Sequence, residues 1–424
     1  MYTRLLSFIN ENGLLYKYQF GFREGHSPNL AIIFLVDKIS NALEEGDYVL
    51  GLFLDFSKAF DTVNHGILFD KLEFYGIRGT ALNWFKSYLN AREQYVVFDG
   101  AESARKRISC GVPQGSILGP LLFLVYINDL ALVSDKLFSL LFADDSNMFL
   151  NGKDPDLLVE TMNDEMKKMI TWLKANKLSL NLKKTHYILF RKRRGRVLLS
   201  KTMVIDNIDI ENVKHSKFLG VIIDERLTFN NHIQYMKGKI SRAMGILYKC
   251  RKYLNQSTLL TLYNAFIYPY FTYCIPVWGN TCESYLKPLF NLQKRAVRII
   301  ANAEFRAHTD PLFKNLKILN VTRLHTYFVQ LFVYNYNHNL LPDMFRDFFI
   351  QNSSIHNYPT RIADDFRPPI MRGSQACRTV RCFGVTTFNY FIDRIRMNCS
   401  YCTYKRHLKD FLLNNEIPFL DHDS

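Results

Sequence analysis

The chain has 424 residues, of which 48% are hydrophobic and 14% aromatic. This composition excludes a largely disordered protein, and the length favours two to four subdomains over one small core. The net charge of +15 is uneven, since residues 1–150 carry 13 Lys and Arg against 17 Asp and Glu, whereas residues 151–424 carry 41 against 22. An acidic part followed by a basic part favours a metal centre and a polyanion-binding surface, with a merely solubilising basic surface as the alternative.

The cysteines and the apolar stretches restrict the class of protein. The eight cysteines are scattered and follow no signal-peptide pattern, so reduced intracellular thiols are expected. The longest apolar stretch, Ile117 to Ile127, is interrupted by glycine and proline and is too short to cross a bilayer, so no membrane partner is expected. Four cysteines leave a zinc site open as an alternative to ordinary thiols: Cys377, Cys382, Cys399 and Cys402.

The first 55 residues predict two helices and a strand. Apolar residues at helical spacing mark helices around residues 5–9 and 32–43, with residues 19–27 between them. Nothing resembling an initiating domain precedes these helices, so we expect a chain that is truncated at its N-terminus. The apolar run Tyr48–Leu54 then predicts a buried strand that ends in Asp55.

A glycine-rich loop and a hairpin follow. Residues 111–120 hold three glycines and two prolines, which predicts a loop that can approach a ligand with its backbone. Two apolar runs within 137–150 enclose Asp144 and Asp145, which predicts a tight β-hairpin with both acids at its turn. The other elements expected up to residue 150 are a cation-lined strand pair at 92–98 and 105–110, and helices at 67–75, 81–89 and 121–132.

The acids at the two strand ends are the candidate site. Adjacent carboxylates repel each other, and an exposed acidic turn is the alternative interpretation of the pair. Asp55, however, stands in similar surroundings at the end of another apolar strand. Since Mg²⁺ prefers a few carboxylates together with substrate phosphates, the three acids indicate a two-metal site for phosphoryl transfer.

The remaining chain is mixed and then mostly helical. A methionine-rich face predicts a core-facing helix at 155–178, and the cationic run 191–196 is a nuclear-import signal, a phosphate clamp or a solvated hairpin tip. From His232 onward, basic helices interleaved with Tyr and Trp favour contact with a nucleic-acid backbone, whereas 301–424 carry no assignable motif. Strands are expected at 184–191, 197–203 and 218–224, and further helices at 259–268 and 285–300.

Four ordered blocks carry a family resemblance: residues 53–65, residues 111–120, Tyr-Ile-Asn-Asp-Leu at 126–130 and Phe-Ala-Asp-Asp at 142–145. They closely resemble the reverse transcriptase of non-LTR retrotransposons, notably the jockey-like group, over residues 19 to about 300. The resemblance implies an α+β right-hand polymerase of fingers, palm and thumb, with an antiparallel palm sheet and a mostly helical C-terminal region. The implied domains are 1–46 (partial fingers), 47–230 (palm with finger insertions), 231–310 (helical thumb) and 311–424 (role unknown).

The resemblance also assigns catalytic residues. Asp55 and Asp144 match the metal-bridging carboxylates and Asp145 the supporting one, with two Mg²⁺ ions, or Mn²⁺ in their place, as cofactors. Lys184, favoured over Lys183, matches a lysine near the pyrophosphate that acts as a general acid or charge clamp; an ordinary surface lysine is the alternative.

Further residues are implied to bind nucleotide or primer. Phe60 matches a steric gate that excludes a ribose 2′-hydroxyl, with a core aromatic as the alternative. Gln114 and Gly115 match a block that contacts nucleotide and template, and Arg23 a block that contacts template or triphosphate. Leu219 and Gly220 match the primer grip.

The implied partners are an RNA template, a DNA primer and dNTPs, and the implied location is intracellular: cytoplasmic on synthesis and nuclear at the site of action. Pro28 departs from the family pattern, which has threonine there, and the upstream fingers block and the endonuclease of whole elements are missing from the chain. The alternative from another class is a truncated or domesticated remnant that binds RNA and DNA without polymerising. An RNA-templated RNA polymerase is disfavoured by Phe60.

Overall fold

The structure is a computed structural model that describes residues 1–192, 197, 199–354, 365–371, 373, 376–395, 398–415 and 417. Its α-helices are α1 (Tyr2–Glu11), α2 (Pro28–Glu44), α3 (His65–Phe74), α4 (Gly79–Leu89), α5 (Leu118–Ile127), α6 (Pro155–Ala175), α7 (Asn230–Cys250), α8 (Gln256–Phe266), α9 (Tyr268–Thr272), α10 (Ile275–Trp278), α11 (Glu283–Ile300), α12 (Asp310–Asn315), α13 (Val321–Asn337), α14 (Val380–Phe391) and α15 (Tyr401–Asn414). Its strands are β1 (Tyr48–Leu54), β2 (Glu93–Gln94), β3 (Val97–Phe98), β4 (Ala101–Glu102), β5 (Lys106–Arg107), β6 (Phe138–Phe142), β7 (Asp145–Gly152), β8 (His186–Phe190), β9 (Val204–Ile205), β10 (Ile208–Asp209), β11 (Glu211–Asn212), β12 (His215–Phe218) and β13 (Val221–Asp224).

Packing divides the chain into two compact units. The first comprises residues 1–27 and 47–189 with described residues up to 213, and the second comprises 28–46, 190–192 and described residues from 214 onward. The segment 28–46 therefore packs with the C-terminal part, whereas the implied fingers segment joins it to residues 1–27. The fingers, palm and thumb boundaries stay a prediction.

The first unit is built on a five-stranded sheet in the order β11, β8, β1, β7, β6. Antiparallel pairing joins β1 to β7 and β7 to β6, so the expected antiparallel centre is confirmed, and β11 adds a short parallel edge to β8. The sheet forms because β1 and β6 are apolar runs: Leu50, Leu52, Leu140 and Leu141 have no solvent exposure.

The helix α6 fills part of this core with methionines. Met162, Met166 and Met169 recur at helical spacing and are fully buried in the first unit's hydrophobic cluster. Asp154 caps the helix by accepting hydrogen bonds from the backbone N–H groups of Asp156 and Leu157. The predicted core-facing methionine stripe is confirmed, and the helix ends at Ala175, three residues before the expected end.

Four expected strands differ from the structure. Residues 218–224 form the two strands of a hairpin, β12 and β13, because Leu219 and Gly220 both have positive φ, 43° and 85°, and turn the chain. Described residues within 197–203 form no strand, since Ser200 donates its backbone N–H and its hydroxyl to the Asp156 carboxylate on α6. The pair at 92–98 and 105–110 is confirmed as a ribbon, but its strands are only two residues long.

The second unit is mostly helical, as expected for the C-terminal part. Its helix α7 buries one face and presents the predicted cations and aromatic rings on the other, with Tyr248 51% exposed. No helix in the described part of the chain combines the length and the apolar character needed to cross a membrane.

An ion pair within this unit fixes α2 to α14. The Arg381 guanidinium donates to both Asp37 carboxylate oxygens, with Nε–Oδ1 2.9 Å and Nη2–Oδ2 2.8 Å, and to the Phe348 carbonyl at 2.6 Å. Asn41 donates a further hydrogen bond to the Asp37 carboxylate. Because Asp37 is only 7% exposed, these hydrogen bonds replace the water that a carboxylate would otherwise bind.

Asp37→Ala is expected to lower the free energy of unfolding by about 3 kcal/mol, because it leaves a largely buried guanidinium without its counter-ion. Asp343→Ala serves as the matched control, since it breaks an i,i+3 pair with Arg346 whose side chains are 83% and 76% exposed and should cost less than about 1 kcal/mol. Urea denaturation of both variants gives the comparison. Equal losses would contradict the structural role of the Asp37–Arg381 pair.

Candidate active site

The register between β1 and β7 brings the predicted acids to one end of the sheet. Leu54 is paired with Ser146, so one further step along the same register sets Asp55 opposite Asp145. Phe142 pairs with Asp145 across the β6–β7 hairpin, which leaves Ala143 and Asp144 as a two-residue turn. Two strands that are 89 residues apart in sequence therefore deliver their acids to the same place.

The segment that follows α6 docks on the end of β1. Asn181 donates its backbone N–H to the Asp55 carbonyl at 2.7 Å, and Ser57 donates its own to the Ser179 carbonyl at 2.9 Å. The Thr185 hydroxyl accepts a hydrogen bond from the Asp55 N–H at 3.5 Å. These contacts bring the predicted Lys184 to the site, with its Nζ 3.7 Å from Asp55 Oδ2 and its side chain 70% exposed.

The carboxylates perturb one another. Partial burial raises the pKa of Asp145 from 3.8 to about 6, and the negative charges of Asp144 and Asp55 add to the shift. Burial likewise raises the pKa of Asp144, with a further contribution from Asp55. Both side chains remain solvent-accessible, so the site is open to a ligand.

This donor set is chemically suited to divalent cations. Carboxylate oxygens are the ligands that Mg²⁺ and Mn²⁺ prefer, and a cation among the three acids would offset the repulsion between their negative charges. In the described residues, however, no group of three or more His, Cys, Asp or Glu side chains is arranged so that it could hold a metal ion as it stands. The acids thus fit a metal by the chemistry of their donor atoms.

Two of the predicted nucleotide-binding residues, Phe60 and Gln114, lie at the short 3₁₀ turn Ala59–Asp61 that follows Asp55. Phe60 is half-buried and stacks on Phe123 with ring centroids 4.3 Å apart. Gln114 donates its side-chain N–H to Asp61 Oδ1 at 2.6 Å. The backbone of the glycine-rich loop lies against this turn, since Val112 donates its N–H to the Phe60 carbonyl at 2.9 Å.

The glycines of this loop serve different purposes. At Gly115, φ is +80° and a Cβ would meet no atom within 4 Å, so the backbone there is exposed to solvent and accessible to a ligand. At Gly111, φ is +87° and a Cβ would lie 2.7 Å from the Asp61 carbonyl oxygen, so glycine is required for packing.

Three further predicted site residues make contacts of their own. The Arg23 guanidinium donates to the Tyr16 and Gln19 carbonyls at 3.1 and 3.3 Å, which closes its own loop within the first unit. Leu219 and Gly220 form the β12–β13 turn of the second unit, where the Tyr273 hydroxyl donates to the Leu219 carbonyl at 2.7 Å.

Sequence reasoning gave no role to three residues that contact this site: Gln19, and Asn181 and Thr185 at the ends of the block that holds Lys184. Each acts through a hydrogen bond to a residue more than 120 positions away, and such bonds leave no local pattern in the sequence. The eight cysteines are free thiols, and in the described part of the chain Cys377, Cys382, Cys399 and Cys402 are not arranged as a metal site.

Asp145→Asn tests the electrostatics of the acids. Because the pKa of Asp145 is raised in the folded state, that state binds more protons than the unfolded chain between about pH 4 and pH 6, and Asp145 reduces stability as pH rises through this window. In EDTA the variant should therefore be more stable than the parent at pH 7.5, by less than about 1 kcal/mol because the side chain is exposed, with the difference vanishing toward pH 4. Denaturant titrations across the pH series measure it.

Asp156→Asn is the control variant, in which the change in stability should have the opposite sign. Hydrogen bonding by Ser200 lowers the pKa of Asp156, so this substitution should destabilise the protein at neutral pH and cost less as pH falls below 4. A constant loss of stability at every pH in Asp145→Asn would contradict the repulsion described above.

Comparison of the sequence with known proteins identifies its family. Residues 2–223, just over half of the chain, match the family model described as "Reverse transcriptase (RNA-dependent DNA polymerase)". Two relatives from Drosophila melanogaster are the probable RNA-directed DNA polymerase from transposon X-element, 29% identical over 75% of this chain and 36% of that protein, and the RNA-directed DNA polymerase from mobile element jockey, 27% identical over 74% and 35%. The chain thus spans about a third of the length of these curated relatives.

A solved structure, of telomerase from Candida albicans in complex with a fragment of telomeric RNA, is similar over 74% of this chain and 55% of that chain, with 13% identity and a TM-score of 0.37. The family match and the relatives confirm the resemblance found in the sequence. The acids at the ends of β1 and β6 lie within the matched residues, and the α+β fold with its antiparallel centre agrees with the family. The chain belongs to the reverse transcriptase family, and its relatives include RNA-directed DNA polymerases of non-LTR retrotransposons, jockey among them.

Proposed function

We propose that this chain is an RNA-directed DNA polymerase that extends a DNA 3′-hydroxyl on an RNA template with dNTPs. The observation that carries the proposal is the meeting of Asp55, Asp144 and Asp145 at one end of the sheet in a member of the reverse transcriptase family. Three solvent-accessible acids that repel one another are costly for folding alone and useful for binding cations and phosphates.

The three acids would hold two Mg²⁺ ions, or Mn²⁺ in their place. Asp55 and Asp144 would be the principal ligands in this proposal, and Asp145 would support them. Such ions, when bound, acidify the primer hydroxyl and stabilise negative charge on the transferring phosphoryl group. The open position of the acids at the strand ends lets primer and triphosphate reach the carboxylates from solvent.

Lys184 is proposed to act on the pyrophosphate side. Its ammonium lies within reach of Asp55, while its exposed, flexible stem leaves it able to turn toward a bound triphosphate. There it would hold the negative charge of the leaving group or donate a proton to it. Arg23, Gln114 and Gly115 remain proposed contacts to nucleotide or template.

Phe60 is proposed as the steric gate. One face of its ring is fixed by stacking on Phe123, and the residue follows the strand end that carries Asp55. A rigid ring close to the bound sugar excludes a 2′-hydroxyl. Packing and gating are compatible here, because Phe123 and the edge-on Phe22 ring hold Phe60 while the residue remains partly exposed.

The second unit supplies the proposed contacts to the template and primer strands. Its helix α7 exposes Lys237, Arg242 and Lys249 beside Tyr248, and cations interleaved with aromatic rings bind a nucleic-acid backbone. The Leu219–Gly220 turn is the proposed primer grip. Action on nuclear DNA after synthesis in the cytoplasm is part of the proposal, by analogy with the family.

Asp144→Ala should lower the rate of dNTP incorporation by roughly 10³-fold, because it removes a ligand for the proposed ions. The assay is Mg²⁺-dependent extension of a DNA primer annealed to RNA, with Asp70→Ala, an exposed acid on α3, as the matched control that should retain activity. Unchanged incorporation in Asp144→Ala would refute the mechanism. Salt-dependent RNA binding by a parent chain that incorporates nothing would favour the inactive nucleic-acid-binding remnant.

Phe60→Ala should raise the use of ribonucleotides relative to deoxyribonucleotides by about 10-fold or more, because it opens space at the sugar. Phe69→Ala is the matched control, since that ring is also half-buried against the first unit's core and its loss should cost stability alone. The ratio of kcat/KM for rNTP and dNTP measures discrimination. An unchanged ratio in Phe60→Ala would leave Phe60 as a core aromatic only.

A further inference from the structure

The segment before α2 lies against β6, the strand that leads to the catalytic turn. Gln19 forms a parallel bridge with Leu141: Phe20 donates its N–H to the Leu141 carbonyl at 2.8 Å, and Leu141 donates its own to the Tyr18 carbonyl at 3.0 Å. Gln19 itself is only 1% exposed. An N-terminal segment is thereby fixed beside the end of the strand that carries Asp144.

The side chain of Gln19 reaches into the turn itself. Its Oε1 accepts two buried hydrogen bonds, from the backbone N–H of Ala143 at 2.9 Å and from that of Gly21 at 2.9 Å. Ala143 immediately precedes Asp144 and is 3% exposed. One side-chain oxygen thus joins the catalytic turn to a segment more than 120 residues away.

The turn requires such support. Ala143 has φ of 56°, in the left-handed region that costs a residue with a Cβ about 1 kcal/mol or more. Strained residues of this kind persist only where their surroundings hold them in place. Gly21 packs directly on this backbone, since a Cβ at Gly21 would lie 2.4 Å from the Ala143 nitrogen.

The side-chain amide of Gln19 forms its hydrogen bonds through the oxygen alone. Its Nε2 is buried and has no hydrogen-bond partner among the described residues. Burying an unsatisfied donor costs stability, and an apolar side chain of the same length would avoid that cost. The position is therefore poorly explained by packing alone and well explained by the two bonds that Oε1 accepts.

We propose that Gln19 is a positioning residue that holds Ala143 in its left-handed conformation, so that Asp144 and Asp145 face Asp55. It contacts the turn backbone and none of the acids, and its effect on catalysis rests on the proposed function. Residues that orient the carboxylates of a metal site typically change metal affinity or activity 10- to 100-fold when they are replaced.

Gln19→Met removes the acceptor and keeps the side-chain length. Expected results are a 10- to 100-fold loss of kcat with little change in KM for dNTP, and weaker Mn²⁺ binding by a similar factor, measured from the EPR signal of free Mn²⁺. Hydrogen exchange of the Ala143 amide should also become faster, because its acceptor is gone. This last readout does not depend on activity or on metal.

A second substitution that restores activity, together with a matched control variant, distinguishes a loss of positioning from a loss of stability. Gln19→Met combined with Ala143→Gly should recover part of the lost kcat and Mn²⁺ affinity, because glycine adopts the positive φ without strain. Gln293→Met, which removes another fully buried, hydrogen-bonded glutamine from the second unit, should lower stability and leave kcat and Mn²⁺ affinity unchanged.

Two results would overturn the proposal: unchanged exchange of the Ala143 amide in Gln19→Met, or a fall in stability with kcat and Mn²⁺ affinity intact. A parent chain that neither binds Mn²⁺ nor polymerises would instead refute the proposed function. Faster Ala143 exchange in Gln19→Met would then still support the role of Gln19 in holding the turn.

Discussion

The antiparallel pairing of β1 with β7 is the interaction on which the site depends. It is made by two largely buried strands, and it ends by placing acids from both strands within electrostatic reach of one another. The burial that forms the sheet therefore also imposes the repulsion at its end. A site assembled in this way remains negatively charged and open to solvent, which are the properties that cations and a triphosphate require.

The loops around the acids dock mainly through their backbones. Residues 179–185 bond to the end of β1, the glycine-rich loop bonds to the turn after Asp55, and residues 18–21 bond to β6 and its turn. Backbone hydrogen bonds fix these segments while leaving side chains such as Lys184 exposed for other contacts. The backbone atoms of these segments thus hold them in place, while their side-chain atoms remain available for the proposed chemistry.

Strands and helix faces were predictable from the sequence where a local pattern of apolar residues determines them. The apolar runs that end in Asp55 and Asp144, the methionine face of α6 and the basic face of α7 were predicted because burial imposes periods of two or 3.6 residues. Prediction was wrong at 197–203, where hydrogen bonds to Asp156 hold the backbone, and at 218–224, where two positive φ angles replace a strand by a hairpin. Gln19 could not be predicted, since a single long-range hydrogen bond has no periodicity.

The contact between Gly21 and Ala143 has a consequence for variation within the family. A Cβ at Gly21 would lie 3.0 Å from the Cβ of Ala143, so neither position can accept a larger side chain while the other keeps its place. Their combined volume is limited by the distance between two backbones and not by a cavity that neighbouring side chains could refill. Among related sequences Gly21 should therefore stay glycine, and enlargement at either site should be accompanied by a rearranged backbone at the other.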